Sequence, residues 1–288
     1  MRWRPVIAGV GRALMISGAL LLLFVVYQLW GTGIAEDRHQ GALRNQFRTS
    51  IAAAPVGPDE SAPPPPDGAA IAIIKIPRLG VEKAVVEGVG VDDLQKGPGH
   101  YPQTPMPGQP GNVGIAGHRT TYGAPFFNLD QLEPGDPILT TTAQGRFRYE
   151  VIGTTVVTPS EVSVLDPTDD NRLTLTTCEP RFSASRRMIV TARLVGEAAA
   201  APDPKQTPPR TKPVASLDDP SLSGDQSARL PALGWGLVFA AIWTVAWFLG
   251  RNRRLIARAG LYVAALAPMA VTLYLCFEQI ARLLPSNV

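Results

Sequence analysis

Cysteine is scarce in this sequence of 288 residues, which contains only Cys178 and Cys276. Two cysteines exclude a disulfide-stapled scaffold and a zinc site built from several cysteines. Histidine is also rare, with three residues, and no group of His, Cys, Asp and Glu has metal-ligand spacing. We therefore expect neither a metal nor a cofactor.

Charge is sparse as well. Charged residues make up 18% of the chain, below the roughly 25% of an average soluble protein. The formal net charge of +3 is too small to indicate a nucleic-acid partner. Proline is abundant instead, with 28 residues, so the composition indicates apolar segments combined with extended Pro-rich ones.

Three apolar stretches account for the hydrophobic excess, namely residues 13–30, 230–249 and 259–277. A bilayer core about 30 Å thick requires roughly 20 apolar residues in a helix, so all three are long enough to span a membrane. Two other readings compete with this one. The first stretch could be a cleaved signal peptide, although its apolar run exceeds the usual length. The last two could form a buried helical hairpin of a soluble protein, although neither contains a charge.

The arginines predict an orientation, because Lys and Arg accumulate on the cytoplasmic side. One cluster precedes the first span, and the other fills the short loop 250–258 between the second and third spans. We expect a multi-pass protein of the cell membrane with a cytoplasmic N-terminus, an extracellular segment 31–229 and an extracellular tail 278–288. The clusters are Arg2, Arg4 and Arg12, and Arg251, Arg253, Arg254 and Arg258.

The extracellular segment divides into three parts. After the anchor in residues 1–30, residues 31–70 begin as a juxtamembrane helix and continue as a Pro-rich linker. Residues 71–196 have the composition of one folded domain, and a segment of this length is enough for a single hydrophobic core. A second Pro-rich linker covers residues 197–229. Such linkers are semi-rigid spacers.

The folded domain has a β pattern. Short alternating runs separated by turn residues favour a barrel or a sandwich, and short helices are expected at 91–96 and 124–132. The expected strands are Ile71 to Ile76, Val81 to Val86, Val113 to Ala116, Pro137 to Thr142, Arg146 to Val157, Arg172 to Thr177 and Arg187 to Val195.

Cys178 is the most informative residue of this domain. Its only possible partner, Cys276, lies in the third span, so an extracellular Cys178 is either an intermolecular bridge or a reactive thiol. The period of two along the strand directs Leu173 and Leu175 to the core and Cys178 to the other face. An inert buried thiol is the alternative.

A nucleophilic cysteine needs a proton-transfer partner and a group that stabilises the oxyanion. His118 ends a strand whose Gly114 and Ala116, on the same face, would leave a groove open. Arg187 begins the last strand and points away from the core. A loop histidine and a solvated arginine are the alternatives.

At these residues the sequence resembles the sortases, which are membrane-anchored cysteine transpeptidases of Gram-positive bacteria. The family signature is present as Thr174-Leu175-Thr176-Thr177-Cys178, followed by Arg187, and His118 precedes the cysteine at the family's spacing. The segments 97–102, 117–123 and 132–136 resemble the class E subgroup. The resemblance extends over residues 71–195.

The resemblance implies an all-β fold with short helices, a sortase-like eight-stranded β-barrel. It implies that Cys178, His118 and Arg187 are catalytic and that Thr176 and Thr177 line the substrate groove, with His100 peripheral. The implied enzyme cleaves secreted proteins between Thr and Gly of a C-terminal sorting signal, LAXTG- or LPXTG-like, through a Cys178 thioester. It then joins them to the amine of a lipid-linked peptidoglycan precursor.

Two other classes remain as alternatives. An L,D-transpeptidase has Ser-x-Gly-Cys at its nucleophile, which Thr176-Thr177-Cys178 does not match. A non-catalytic, membrane-tethered β-domain that binds wall polymers would tolerate the loss of Cys178.

Overall fold

The computed structural model describes residues 3–53, 57, 60, 65–201 and 226–283. Most of the two expected Pro-rich linkers lies outside these described residues. The chain divides into two compact units, one with the described residues of 3–28 and 226–283 and one with those of 29–201. The α-helices of the described residues are α1 (Trp3–Val26), α2 (Thr32–Ala53), α3 (Val91–Leu94), α4 (Arg229–Gly250) and α5 (Leu255–Leu283), with a π-helical turn at Tyr27–Gly31.

The first unit is helical. Among the described residues, three helical stretches are long and apolar enough to cross a membrane, namely Val6–Ala52, Arg229–Gly250 and Leu255–Leu283. Each overlaps a span expected from the sequence. Leucine side chains on these helices are largely exposed, for example Leu22 at 68% and Leu237 at 70%, as expected for helices that face lipid.

Helix α5 is longer than the apolar run that predicts it. It begins at Leu255, within the expected basic loop, and ends at Leu283, within the expected tail. The basic residues that flank the run are good helix formers, so the helix continues where the apolar pattern stops.

The second unit contains the expected eight-stranded barrel, which is closed in the order β1-β2-β3-β4-β7-β8-β6-β5. The pairs β2–β3 and β4–β7 are parallel, and the other pairs are antiparallel. The strands are β1 (Ala70–Ile76), β2 (Val81–Glu87), β3 (Gly99–His100), β4 (Asn112–Ala116), β5 (Pro137–Thr142), β6 (Gly145–Val157), β7 (Arg172–Glu179) and β8 (Arg186–Val195).

Alternate residues of the strands fill the barrel interior. Val113, Ile115, Leu173 and Leu175 are fully buried in the main core, which confirms the inward face expected for β4 and β7. Burial of one such side chain contributes about 1.5–3 kcal/mol. The interior therefore fixes which face of β7 carries Cys178.

The outer face of β4, β7 and β8 is also covered, by a second cluster that includes Tyr101, Leu165 and Ile189. The expectation that Gly114 and Ala116 leave a groove open is therefore wrong. A Cβ atom at position 114 would lie 2.8 Å from both Leu165 and Tyr101, and Ala116 is 7% exposed. The connecting segments fold back over the strands and fill the space that the small residues leave.

The short elements match the sequence less closely. The helix expected at 91–96 is present as α3, but only a 3-10 turn, Leu129–Gln131, forms in the segment 124–132. Strand β3 was not expected, because two residues that include a glycine carry no alternation.

Helix α2 lies in the segment that is expected to begin as a juxtamembrane helix, and it packs against strands β1 and β2 of the barrel. Its buried residues follow a helical period, so they form one face. The side-chain amide of Gln40 on this face bonds to backbone groups of the barrel unit. Its Nε2 donates to the oxygens of Ala84 (3.0 Å) and Lys96 (2.8 Å), and its Oε1 accepts from the Ala84 N–H (2.7 Å). The buried residues are Thr32, Glu36, Gln40, Leu43 and Phe47.

Replacement of Gln40 by Leu should destabilise the barrel by about 2–4 kcal/mol, because an unpaired buried polar group costs roughly 1–3 kcal/mol. The measurement is a urea titration of the full chain in detergent, followed by near-UV circular dichroism. Gln46→Leu, on the exposed side of the same helix, is the matched control. Equal midpoints for the two variants would contradict the role of Gln40.

Candidate active site

Cys178 and Arg187 are directly opposite each other on neighbouring strands. The antiparallel register of β7 and β8 pairs their Cα positions, and opposite residues have Cβ atoms about 4.5–5.5 Å apart. Cys178 is a free, partly exposed cysteine, whereas Arg187 is 4% exposed. Arg187 Nη1 donates to the oxygens of Ala184 and Arg186, both at 2.9 Å. The guanidinium is therefore held beside the strand end that carries the thiol.

His118 follows the end of β4, the parallel neighbour of β7. The register pairs Ala116 with Thr176, and His118 and Cys178 each lie two residues further along. Two hydrogen bonds extend this pairing: Thr176 oxygen accepts from the Gly117 N–H at 3.0 Å, and Thr177 Oγ1 donates to Gly117 oxygen at 2.7 Å. The ends of β4, β7 and β8 thus bring the three expected residues to one end of adjacent strands.

The imidazole of His118 is buried. The residue is 6% exposed, and its buried Nε2 has no hydrogen-bond partner among the described residues. Burial lowers the pKa of His118 to about 4, because the charged form loses its hydration. The ring lies against Tyr122, with centroids 5.1 Å apart and planes 38° apart.

The Cys178 thiol experiences two opposing effects. Burial raises its pKa, and the positive charges of Arg187 and Arg119 lower it, with burial the larger effect. The thiol is therefore protonated at neutral pH in this state. The two arginines are the groups that favour the thiolate.

Arg119 is a residue of this site that the sequence reasoning missed. Its Nη1 donates to Cys178 oxygen (3.0 Å) and to Glu179 Oε2 (2.7 Å), and its Nη2 donates to Asp130 Oδ1 (2.9 Å). Arg119 is only 4% exposed. Its position directly after His118 was a signal, but a single arginine in a polar loop is usually solvated.

Asp130 joins this arginine to the loop after β7. Its carboxylate also accepts from Arg181 Nη2 at 2.8 and 3.1 Å, and the Arg181 guanidinium lies 4.6 Å from the ring centroid of Phe127. The loops that follow β4 and β7 are thus linked by one carboxylate.

The hydroxyl groups of Thr176 and Thr177 are engaged in the structure. Thr176 Oγ1 lies 3.1 Å from Tyr101 Oη, and Thr177 Oγ1 bonds to Gly117 as described above. Both residues are buried. Their expected contact with a substrate stays a prediction.

The other two histidines lie on other elements, His100 on β3 and His39 on α2. His100 is fully buried, with Nδ1 2.7 Å from Glu87 Oε2 and Nε2 2.9 Å from Pro105 oxygen, so its ring is held by partners of its own. His39 is on the exposed face of α2. Within the described ranges, no group of three or more His, Cys, Asp or Glu residues is placed to hold a metal ion.

Comparison with known proteins identifies the family of this chain. The Sortase domain family model matches residues 74–195. Sortase SrtE2 of Streptomyces coelicolor is 30% identical over 218 residues, which cover 69% of this chain and 85% of that protein. The chain belongs to the sortase family. Sortases are cysteine transpeptidases.

Further relatives are sortases too. Sortase SrtE1 of Streptomyces coelicolor is 37% identical over 204 residues, which cover 65% of this chain and 57% of that protein. The chain therefore spans little more than half the length of this relative. A solved structure of sortase E from Streptomyces avermitilis is 40% identical and covers 46% of this chain and 91% of its own, with a TM-score of 0.43. The expected class E-like character is confirmed.

In this sortase, Arg119→Gln should raise the pKa of Cys178 further, because a nearby positive charge is lost. The rate of iodoacetamide alkylation at pH 8 should fall, since the thiolate is the nucleophile. The measurement is a pH series on the full chain with Cys276→Ala as background.

Arg148→Gln is the control, since Arg148 is exposed and paired with Glu150. Arg119→Lys should give an intermediate pKa, because it keeps the charge and loses the planar donor geometry. An unchanged alkylation profile in Arg119→Gln would show that Arg119 does not act on the thiol.

Proposed function

We propose that this chain is a membrane-anchored transpeptidase with Cys178 as nucleophile, His118 as proton-transfer group and Arg187 as oxyanion stabiliser. The main observation that supports this proposal is the pairing of Cys178 with Arg187 at the strand end that lies beside His118. The substrate is a secreted protein with a C-terminal sorting signal. The acceptor is the amine of a lipid-linked cell-wall precursor.

The first half-reaction forms a thioester. A proton passes from Cys178 to His118, and the thiolate attacks the carbonyl carbon of the signal threonine. Negative charge develops on the carbonyl oxygen, where the guanidinium of Arg187 stabilises it. The C–N bond then breaks, and the imidazolium of His118 gives its proton to the departing glycine amine.

The second half-reaction releases the product. The acceptor amine attacks the thioester carbonyl and loses a proton to His118. The C–S bond breaks, an amide bond forms, and the thiolate recovers a proton from His118. The proton that Cys178 loses departs with the glycine amine, and the proton of the acceptor amine replaces it, while no atom changes its oxidation state.

The charged pair, the Cys178 thiolate with the His118 imidazolium, is the minor form before substrate binds. Burial raises the pKa of Cys178 and lowers that of His118 to about 4, so thiol and neutral imidazole predominate at pH 7. The arginine charges reduce the cost of the thiolate, which makes the minor form accessible.

The full chain in detergent should cleave a quenched LAXTG-type peptide and transfer its N-terminal part to an added amine. Cys178→Ala should abolish both reactions, because no other group can form the thioester. His118→Ala and Arg187→Ala should each lower kcat/KM by about 100-fold or more. The measurements are fluorescence release and mass spectrometry of the transfer product.

Cys276→Ala is the matched cysteine control and should retain full activity, since Cys276 lies in the helical unit. Activity that survives Cys178→Ala would refute the mechanism. Absence of any cleavage by the wild type, together with binding of wall polymers, would favour the non-catalytic alternative.

We further propose that the barrel is extracellular and that the N-terminus and the loop between α4 and α5 are cytoplasmic. Arginines of that loop, Arg251, Arg253 and Arg254, support this orientation, because positive residues remain on the cytoplasmic side. The barrel unit would then share a compartment with secreted substrates and the precursor.

An impermeant maleimide tests this orientation on intact cells that express the chain with both native cysteines replaced. Asp169→Cys, on the exposed barrel surface, should be labelled directly. Asn252→Cys, in the loop, should be labelled only after permeabilisation. The reverse pattern would contradict the orientation.

A further inference from the structure

The first turn of α2 contacts the loop that follows His118. The Tyr122 N–H donates to Thr32 Oγ1 at 3.1 Å. A Cβ atom at Gly33 would lie 3.7 Å from the backbone nitrogen of Gly123, and one at Gly123 would lie 2.5 Å from Glu36 Oε2. The helix and the loop therefore approach with no room for a side chain at position 123.

The loop has an unusual backbone at this contact. Tyr122, Gly123 and Ala124 have φ values of 49°, 71° and 43°, in the left-handed region that non-glycine residues rarely occupy. Such a conformation costs a non-glycine residue, here Tyr122 or Ala124, roughly 1–3 kcal/mol and persists where surrounding contacts enforce it. The hydrogen bond from Tyr122 to Thr32 is one such contact, and the 2.9 Å bond from the Ala124 N–H to Thr121 oxygen is another.

Glu36 holds the helix turn in place. Its side chain has no exposed surface, and Lys83 Nζ on β2 donates to its Oε2 at 2.6 Å. Asp37, on the same helix, lies 3.5 Å from the same ammonium group. The first turn of α2 is thus tied to the barrel on one side and to the loop on the other.

The loop in turn encloses the imidazole. The Tyr122 ring lies against the His118 ring, 5.1 Å between centroids, and the Phe126 N–H donates to His118 oxygen at 3.2 Å. The backbone position of Tyr122 determines where its ring lies. The hydrogen bond from Tyr122 to Thr32 therefore affects the surroundings of His118 through the single residue Tyr122.

We propose that Thr32 is a positioning residue for His118, acting through Tyr122. The Thr32 hydroxyl fixes the backbone of Tyr122, and the Tyr122 ring then sets the orientation and the enclosure of the imidazole. This inference rests on the proposed function for its effect on catalysis, whereas its effect on the state of His118 is independent of activity.

Thr32→Val tests the proposal, because valine has nearly the same shape and lacks the hydroxyl. With Tyr122 released, the His118 ring should be less enclosed, so its pKa should rise from about 4 toward the ordinary 6.5. The value of kcat should fall roughly 10- to 100-fold, with KM changed less. The measurements are NMR titration of 13C-labelled histidine in the full chain, assigned by the loss of signal in His118→Asn, and the pH profile of peptide cleavage.

Two threonine variants serve as controls. Thr32→Ser keeps the hydroxyl and should restore both the titration and kcat. Thr49→Val makes the same change on the exposed side of α2 and should alter neither. Gly123→Ala approaches the contact from the loop, where the new Cβ would clash with Glu36, and should shift the His118 titration in the same direction even if Thr32→Val does not fold.

The outcomes separate the two proposals. An unchanged His118 titration in both Thr32→Val and Gly123→Ala would overturn the positioning role. A shifted titration in a protein whose wild type cleaves no sorting peptide would support the positioning role and refute the proposed function. An active wild type with unaltered kcat and pH profile in Thr32→Val would refute the positioning role alone.

Discussion

The parallel ladder between β4 and β7 is the constraint on which the rest of the site depends. Its register pairs Ala116 with Thr176, and this one offset places the chain after β4 beside the end of β7. The histidine and the cysteine are 60 positions apart in the sequence, and no local interaction could bring them together. A slip of one residue would move Cys178 to the core face, because side chains alternate along a strand.

Exclusion of water also shapes the site. One face of β7 lies in the core, and the other face is covered as well. Tyr101 and Leu165 belong to the cluster that covers the outer face of the strands, where Ile189 of β8 lies, so polar groups there must find partners within the protein. Thr174 Oγ1 donates to Asn112 Oδ1 at 2.7 Å, and Thr176 Oγ1 lies 3.1 Å from Tyr101 Oη. His118 Nε2 is an exception, since it has no hydrogen-bond partner among the described residues.

Alternation of side chains predicted the barrel and its inward face well, because the period of two depends only on neighbours along the strand. Leu173, Leu175 and Cys178 were placed on the correct faces for this reason. The same reasoning gave a wrong prediction at Gly114, since the residues that fill its space belong to distant connecting segments. Arg119 was missed for a related reason: its partners, Cys178 and Asp130, come together only after β4 and β7 have paired. The roles of Cys178, His118 and Arg187 came from a family motif and not from the alternation.

The sequence also placed the start of the folded domain at residue 71, where the strands begin. The contacts of Gln40 with Ala84 and Lys96 indicate an earlier start for this domain. They satisfy backbone groups of the barrel, although Gln40 lies on helix α2, which a Pro-rich segment separates from β1 in the sequence. A recombinant fragment begun at Ala70 would therefore expose an unpaired backbone amide and carbonyl at β2 and an apolar strip formed by Ala84 and Val86. Fragments for crystallisation or for enzyme engineering should begin before Thr32, so that the helix is purified together with the barrel that it completes.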